Sequence, residues 1–131
     1  AIVPASDALA ADPAGACAAF RSLSTARVEP MQSPATIADG LRTPLWRIIF
    51  DILSSHHVTV ELASEGAIIA ATRLIYERMK LVVEPSGAVP LAALMEAPPS
   101  RRAPRIGVIV SGGNVDLDAL LYTLKSSAHL S

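Results

Sequence analysis

Four consecutive residues, Ser111-Gly112-Gly113-Asn114, concentrate the chemistry of this chain. The apolar run Arg105 to Val110 leads into them and Val115-Asp116-Leu117 leads out. The pattern predicts a strand, a glycine turn and a helix start. Gly112 and Gly113 permit positive φ and let a ligand approach the backbone closely. In open α/β sheets, small ligands bind at such junctions, outside the carboxyl ends of the strands. The other reactive residues form weaker patterns. His56 and His57 are adjacent, so in a strand they would point to opposite faces, and no Cys, Asp or third His stands at ligand spacing. They are expected as surface histidines at a loop end, and no metal site is predicted. Cys17 is expected at a small apolar position on a helix. Glu77 and Arg78 are expected as solvated charges, and Arg101, Arg102 and Arg105 as a solvated basic cluster.

The elements that must position the glycine junction follow from propensity and period. Residues 1–3 suggest the end of a strand stopped by Pro4. Ala8 to Leu23 favours a helix, best over Ala14 to Ser22, with Asp12 as cap and Pro13 in the first turn. Ser24 to Pro34 is predicted as a loop. Thr36 to Thr43 is predicted as an irregular loop that tucks Ile37 and Leu41 into the core. Leu45, Ile48, Ile49 and Ile52 stand at helical spacing, so Leu45 to Leu53 reads as a short amphipathic helix. Val58-Thr59-Val60 alternates and is β-branched, which predicts a strand.

Ser64 is placed to cap a helix running to about Lys80, with Glu65 in its first turn and Ile68, Ala71, Ile75 and Met79 on one apolar face. Pro85, after Glu84, opens a further helix with small residues at Gly87, Ala88, Ala92 and Ala93, and Pro90 is expected within its first turn. Ala97 to Pro104 is a surface loop by composition. Arg105 to Val110 lacks polar alternation and reads as a strand buried on both faces. Val115 to Lys125 closes the chain as a helix, with Ala128 to Ser131 frayed.

Composition limits the classes of function. The chain has 131 residues, enough for one domain with a core. Eleven basic and twelve acidic residues leave a net charge of −1, so there is no electrostatic footprint for nucleic acid or an anionic membrane. Hydrophobic residues make up 51%, and the mean hydropathy is +0.42. This suits a layered α/β core or a chain that expects a partner surface. A single cysteine excludes an intramolecular disulfide and points to a reducing, cytoplasmic setting. No apolar run reaches the length of a membrane span, and no signal peptide is recognised. The apolar opening Ala1-Ile2-Val3-Pro4 suggests a fragment or a truncated gene model.

Three stretches, in this order, resemble one family. They are Thr36-Ile37-Ala38-Asp39-Gly40-Leu41-Arg42-Thr43, then Glu77-Arg78-Met79-Lys80-Leu81-Val82-Val83-Glu84-Pro85-Ser86-Gly87-Ala88, then Ser111-Gly112-Gly113-Asn114-Val115-Asp116. They are similar to the C-terminal part of serine racemase and the serine/threonine dehydratases, pyridoxal 5'-phosphate enzymes of the tryptophan-synthase-β-like fold. The resemblance covers nearly the whole chain. It implies an α/β fold with a partial open, mostly parallel sheet flanked by helices, and residues 1–131 as a single partial domain.

The resemblance also implies a cofactor site. Ser111 matches the serine that hydrogen-bonds the pyridine nitrogen, Gly112 would pack against the ring edge, and Glu84 matches a glutamate lining the pocket. A neutral hydroxyl at the pyridine nitrogen, instead of a carboxylate, suits elimination or racemisation over transamination. Without the resemblance, Ser111 reads as a turn or helix cap and Glu84 as an acid favoured at a helix start.

The departures are equally specific. The family's Schiff-base lysine and phosphate-binding glycine loop belong to its N-terminal half and have no match here, and Lys80 and Lys125 are not substitutes. The substrate-carboxylate loop and the serine acid/base are likewise unmatched, so no catalytic residue is assigned. Val3 and Leu9 stand where the family has cation-binding acids, and Asp7 alone cannot build a hard-cation site. Pro44-Leu45-Trp46-Arg47 enters its helix without the family's longer turn, which suggests exon loss or a decayed gene model.

The expected function is therefore the cofactor-binding part of a dehydratase (ammonia-lyase) or serine racemase acting on small hydroxy amino acids, as a homo-oligomer or paired with a missing half. The alternatives are a catalytically inactive truncated paralogue or partner-binding fragment, and an anion-binding module built on Gly112-Gly113.

Overall fold

The computed structural model describes residues 8–101 and 103–127. The expectations for residues 1–4, Asp7, Arg102 and Ala128–Ser131 lie outside them. Two strands, β1 (Leu9–Pro13) and β2 (Thr59–Ala63), pair in parallel from Leu9 opposite Thr59 to Pro13 opposite Ala63. Between them run the helices α1 (Ala18–Thr25) and α2 (Arg47–Ser55). After β2 come α3 (Glu65–Leu74), α4 (Pro85–Glu96) and α5 (Leu117–Ser127). The chain is thus α/β, with a parallel sheet flanked by helices.

Strand β1 occupies residues expected to be helical. Its alanines have no strong preference for a strand, but pairing with β2 satisfies their backbone groups and outweighs propensity. Pro13 lies at the last strand position, where its missing N–H is tolerated. The helix consequently starts at Ala18, not Ala14, after a single 3₁₀ turn over Ala14–Ala16. Asp12 caps it all the same, from a distance. Its carboxylate accepts the amides of Ala19 (2.9 Å) and Phe20 (3.0 Å). Cys17 is half-buried at the residue just before the helix, not on it.

Helix α2 forms where the period placed it, but its stripe faces the other way. Ile48 is 68% exposed, Ile49 and Ile52 are also exposed, and Phe50 is buried instead. A period identifies an apolar face; it does not say which surface that face meets. His56 and His57 follow α2 as exposed residues of a turn, with His57 at φ 52°.

Helix α3 starts as expected, the Ser64 Oγ accepting the Ala67 amide at 3.1 Å. Ile68, Ala71 and Ile75 are fully buried. The chain then widens into a π turn over Ile75–Met79 and ends at Lys80 in the left-handed region. An i→i+5 turn shifts the phase of the helix. Met79, expected on the apolar stripe, is therefore 56% exposed. Arg73 and Glu77 pair at 2.7 Å on the exposed side, and the Lys80 ammonium donates to the Glu77 carbonyl at 2.7 Å.

Helix α4 packs along α3, with Gly87, Ala88, Val89, Ala92 and Ala93 buried. Small side chains let the two helices approach closely. The start of α3 is clasped to the end of α4, since the Ser64 amide and hydroxyl both donate to the Glu96 carboxylate, at 2.9 and 2.7 Å. Pro90 lies inside the helix, not in its first turn, because the helix begins at Pro85. The core gathers on α3 and α4 around Ala38, Ala63 and Val83, with Ile37 and Leu41 packed against it as expected.

Arg105 to Val110 departs most from expectation. It forms no strand and belongs to no ladder among the described residues, and Ile109 is 81% exposed. A strand buried on both faces needs paired neighbours and covering layers. The described chain has only β1 and β2, and these pair with each other.

Candidate functional site

The glycine junction folds back onto the start of α4. Gly112 has φ +80°, a conformation that L side chains rarely adopt, and its carbonyl accepts the Glu84 amide at 3.2 Å. A Cβ on Gly112 would lie 2.2 Å from Glu84 Oε1, so the carboxylate occupies the space a side chain would take. One turn into α4, a Cβ on Gly87 would lie 1.8 Å from the Ser111 carbonyl oxygen. Gly87 is buried and Ser111 exposed, so the serine is pressed backbone-first onto the helix. The structure thus brings Ser111, Gly112 and Glu84 together at the start of α4. Gly112 does meet a group at close range, and that group is Glu84.

Two further residues join them. The Gly40 amide donates to Ser86 Oγ at 3.0 Å and to its neighbour Asp39 Oδ1 at 2.9 Å. A Cβ on Gly40 would lie 2.9 Å from Ser86 Oγ and 3.7 Å from Glu84 Oε1. Both residues lie within the family-like stretches 36–43 and 77–88, but no local pattern there assigns either a role. The signal lay in a glycine after an aspartate within a mixed polar and apolar loop, and in a hydroxyl two residues after Glu84. Beside this cluster, a cavity of about 270 Å³ is lined by Ile37, Asp39, Arg42, Pro85, Asn114 and Asp116, among others. Arg42 is held in place by its guanidinium, which donates to the Thr36 carbonyl.

The last helix is fixed next to the junction by its own cap. Asp116 Oδ1 accepts the amides of Asp118 (3.0 Å) and Ala119 (3.1 Å). Elsewhere, Asp12 stands out electrostatically. Burial pushes its carboxyl above the ordinary carboxylate value, against the two amides that favour the charged form. Among the described residues, no three His, Cys, Asp or Glu side chains converge as a metal ion would require, and no helix is long and apolar enough to cross a membrane.

The chain is thus an α/β scaffold of the parallel-sheet class that brings a carboxylate, a hydroxyl and side-chain-free backbone together at one helix start. Residues 2–112 match the family of pyridoxal-phosphate dependent enzymes, and the chain belongs to that family. It is 39% identical over 119 residues to a beta-hydroxyaspartate dehydratase of Paracoccus denitrificans (strain Pd 1222), an alignment covering 91% of this chain and 38% of that protein. It is 38% identical over 120 residues to the serine racemase of Dictyostelium discoideum, covering 88% of this chain and 37% of that one. Among solved structures, the T.th. threonine deaminase superposes with a TM-score of 0.82 at 39% identity, covering 88% of this chain and 43% of that one. The chain thus spans about two fifths of the length of these relatives. The resemblance read from the three motifs holds at the level of family and fold.

Proposed function

We propose that Ser111, Gly112 and Glu84 form one wall of a pyridoxal 5'-phosphate site, in an enzyme that eliminates water and ammonia from small hydroxy amino acids or racemises them. The observation behind this is the convergence of the three residues on the start of α4. The residues fit the group. Gly112 and Gly113 carry no side chains, Ser111 is exposed beside them, and Glu84 is half-buried against Gly112. The bound cofactor supplies an electron sink for bond cleavage at the amino-acid α-carbon. The Ser111 hydroxyl would hold the pyridine nitrogen through a neutral hydrogen bond, without fixing a proton there as a carboxylate would. Gly112, lacking a side chain, would leave room for the Glu84 carboxylate beside the ring. Glu84 would line the ring edge with its carboxylate and orient it.

The lysine and phosphate loop of such a site have no match in these residues, and Lys80 is engaged with the Glu77 carbonyl. The complete site therefore draws on further polypeptide that supplies a complementary portion of the fold. The exposed apolar segment Ile106 to Val110 supports that reading. A cytoplasmic location is favoured by the single half-buried thiol.

The test is a titration of the 131-residue chain with pyridoxal 5'-phosphate, followed by backbone amide resonances. Shifts centred on Gly40, Ser111 and Gly112, weakened in Ser111→Ala, are expected. Saturable shifts centred elsewhere, or none, would remove the assignment of this wall.

A further inference from the structure

We infer that Glu65 is a positioning residue for this site, setting the Gly40 peptide against Ser86 and Glu84 through the loop that begins at Thr36. The inference rests on the cofactor-site reading above. Glu65 is the first residue of α3, but it does not cap that helix, because Ser64 does. Its Oε2 instead accepts the amide of Ile37 at 2.9 Å, across 28 residues of sequence. Its Oε1 is buried with no hydrogen-bond partner among the described residues.

An acid at a helix start gains from the dipole while facing water. Turning inward and leaving one oxygen buried and unpaired costs free energy. Helix stability alone does not ask for that geometry; holding Ile37 does. Beyond Ile37 the chain has little freedom. Ala38 is fully buried and its amide donates to Thr36 Oγ1 at 3.1 Å. The next turn, Asp39–Leu41, delivers the Gly40 amide to Ser86 Oγ at 3.0 Å. A chain of contacts, Glu65 to Ile37 to Gly40 to Ser86, thus joins the start of α3 to the start of α4. If Ile37 slips, Gly40 loses its place beside Ser86 and Glu84.

The test compares Glu65→Ala, which removes both charge and acceptor, with Glu65→Gln, which removes the charge and keeps the acceptor oxygen. Amide hydrogen exchange is read at Ile37 and Gly40, with Thr72 and Ala92 as core controls, in the full 131-residue chain. In Glu65→Ala, exchange at Gly40 is expected to quicken about ten-fold, the loss of one buried hydrogen bond, with the controls within about two-fold. Glu65→Gln is expected to restore Gly40 to within about three-fold of the parent, since an amide oxygen still accepts from Ile37.

If Gln behaves as Ala does, the charge at the helix start is what matters and the inference fails. It also fails if Gly40 is unmoved in both variants, or if the controls quicken as much as Gly40. Titration of the same variants with pyridoxal 5'-phosphate gives the second readout, with affinity expected to fall about ten-fold in Glu65→Ala and to recover in Glu65→Gln. A parent chain that binds no cofactor overturns the pocket reading, whereas the exchange measurements decide the role of Glu65 by themselves.

Discussion

The amide of Glu84 donates to the carbonyl of Gly112, and the carboxylate of the same residue fills the space where a Gly112 side chain would stand. Each residue therefore constrains the other twice, once through backbone and once through shape. Gly112→Ala introduces a Cβ 2.2 Å from Glu84 Oε1 at a φ of +80°. A stability loss of about 1–3 kcal/mol is expected in chemical denaturation, in the range for a strained backbone conformation. Removing the carboxylate in Glu84→Ala should relieve the contact but not the dihedral, so the double variant should recover only part of the loss. Full recovery would mean that the dihedral costs nothing here.

Gly87 carries a different constraint. Its Cβ would meet a backbone oxygen, that of Ser111, at 1.8 Å, and backbone cannot swing aside as a side chain can. Gly87→Ala is expected to lose about 1–3 kcal/mol by overpacking, despite the better helix propensity of alanine. Amide resonances of Ser111 and Gly112 should move while those of α1 stay. A stabilised variant would show that the junction does not rest on α4.

The carboxyl of Asp12 should make stability depend on pH. Burial raises its folded-state value above the ordinary 3.8. The folded chain then binds a proton more tightly than the unfolded one, so this contribution is fully present below the ordinary value and is lost as pH rises through the folded one. Asp12→Asn retains an acceptor for the Ala19 and Phe20 amides without the buried charge. It should flatten that fall in stability with rising pH. An unchanged slope in urea denaturation across the mildly acidic range would place the dependence elsewhere.

The outward stripe of α2 predicts a fourth outcome. Ile48 and Ile52 are exposed, so Ile48→Lys and Ile52→Lys should change stability by no more than about 0.5 kcal/mol, as surface substitutions do. Binding of a hydrophobic dye should fall. Phe50→Ala, on the buried side of the same helix, should instead cost about 3–5 kcal/mol. Comparable losses at Ile48 and Phe50 would contradict the orientation of the helix.

Local chemistry was legible wherever a residue's own type decides its conformation. Ser64 caps α3, Pro85 opens α4 and Gly112 takes a positive φ, because a hydroxyl, a fixed φ and a missing Cβ act within a few residues. The three motifs pointed to the family that residues 2–112 match. Gly40 and Ser86 escaped a role because their meeting spans 46 residues and no local pattern records it.

The sequence by itself determined the class of this protein: α/β, with a glycine junction and the motifs of the pyridoxal-phosphate dependent enzymes. Tertiary structure alone decided that Leu9–Pro13 is a strand, that the apolar face of α2 points outward, and that Arg105–Val110 pairs with nothing described. The physical reason is common to all three. Propensity and period act over a few residues, whereas pairing and burial depend on which distant surfaces are present to receive them.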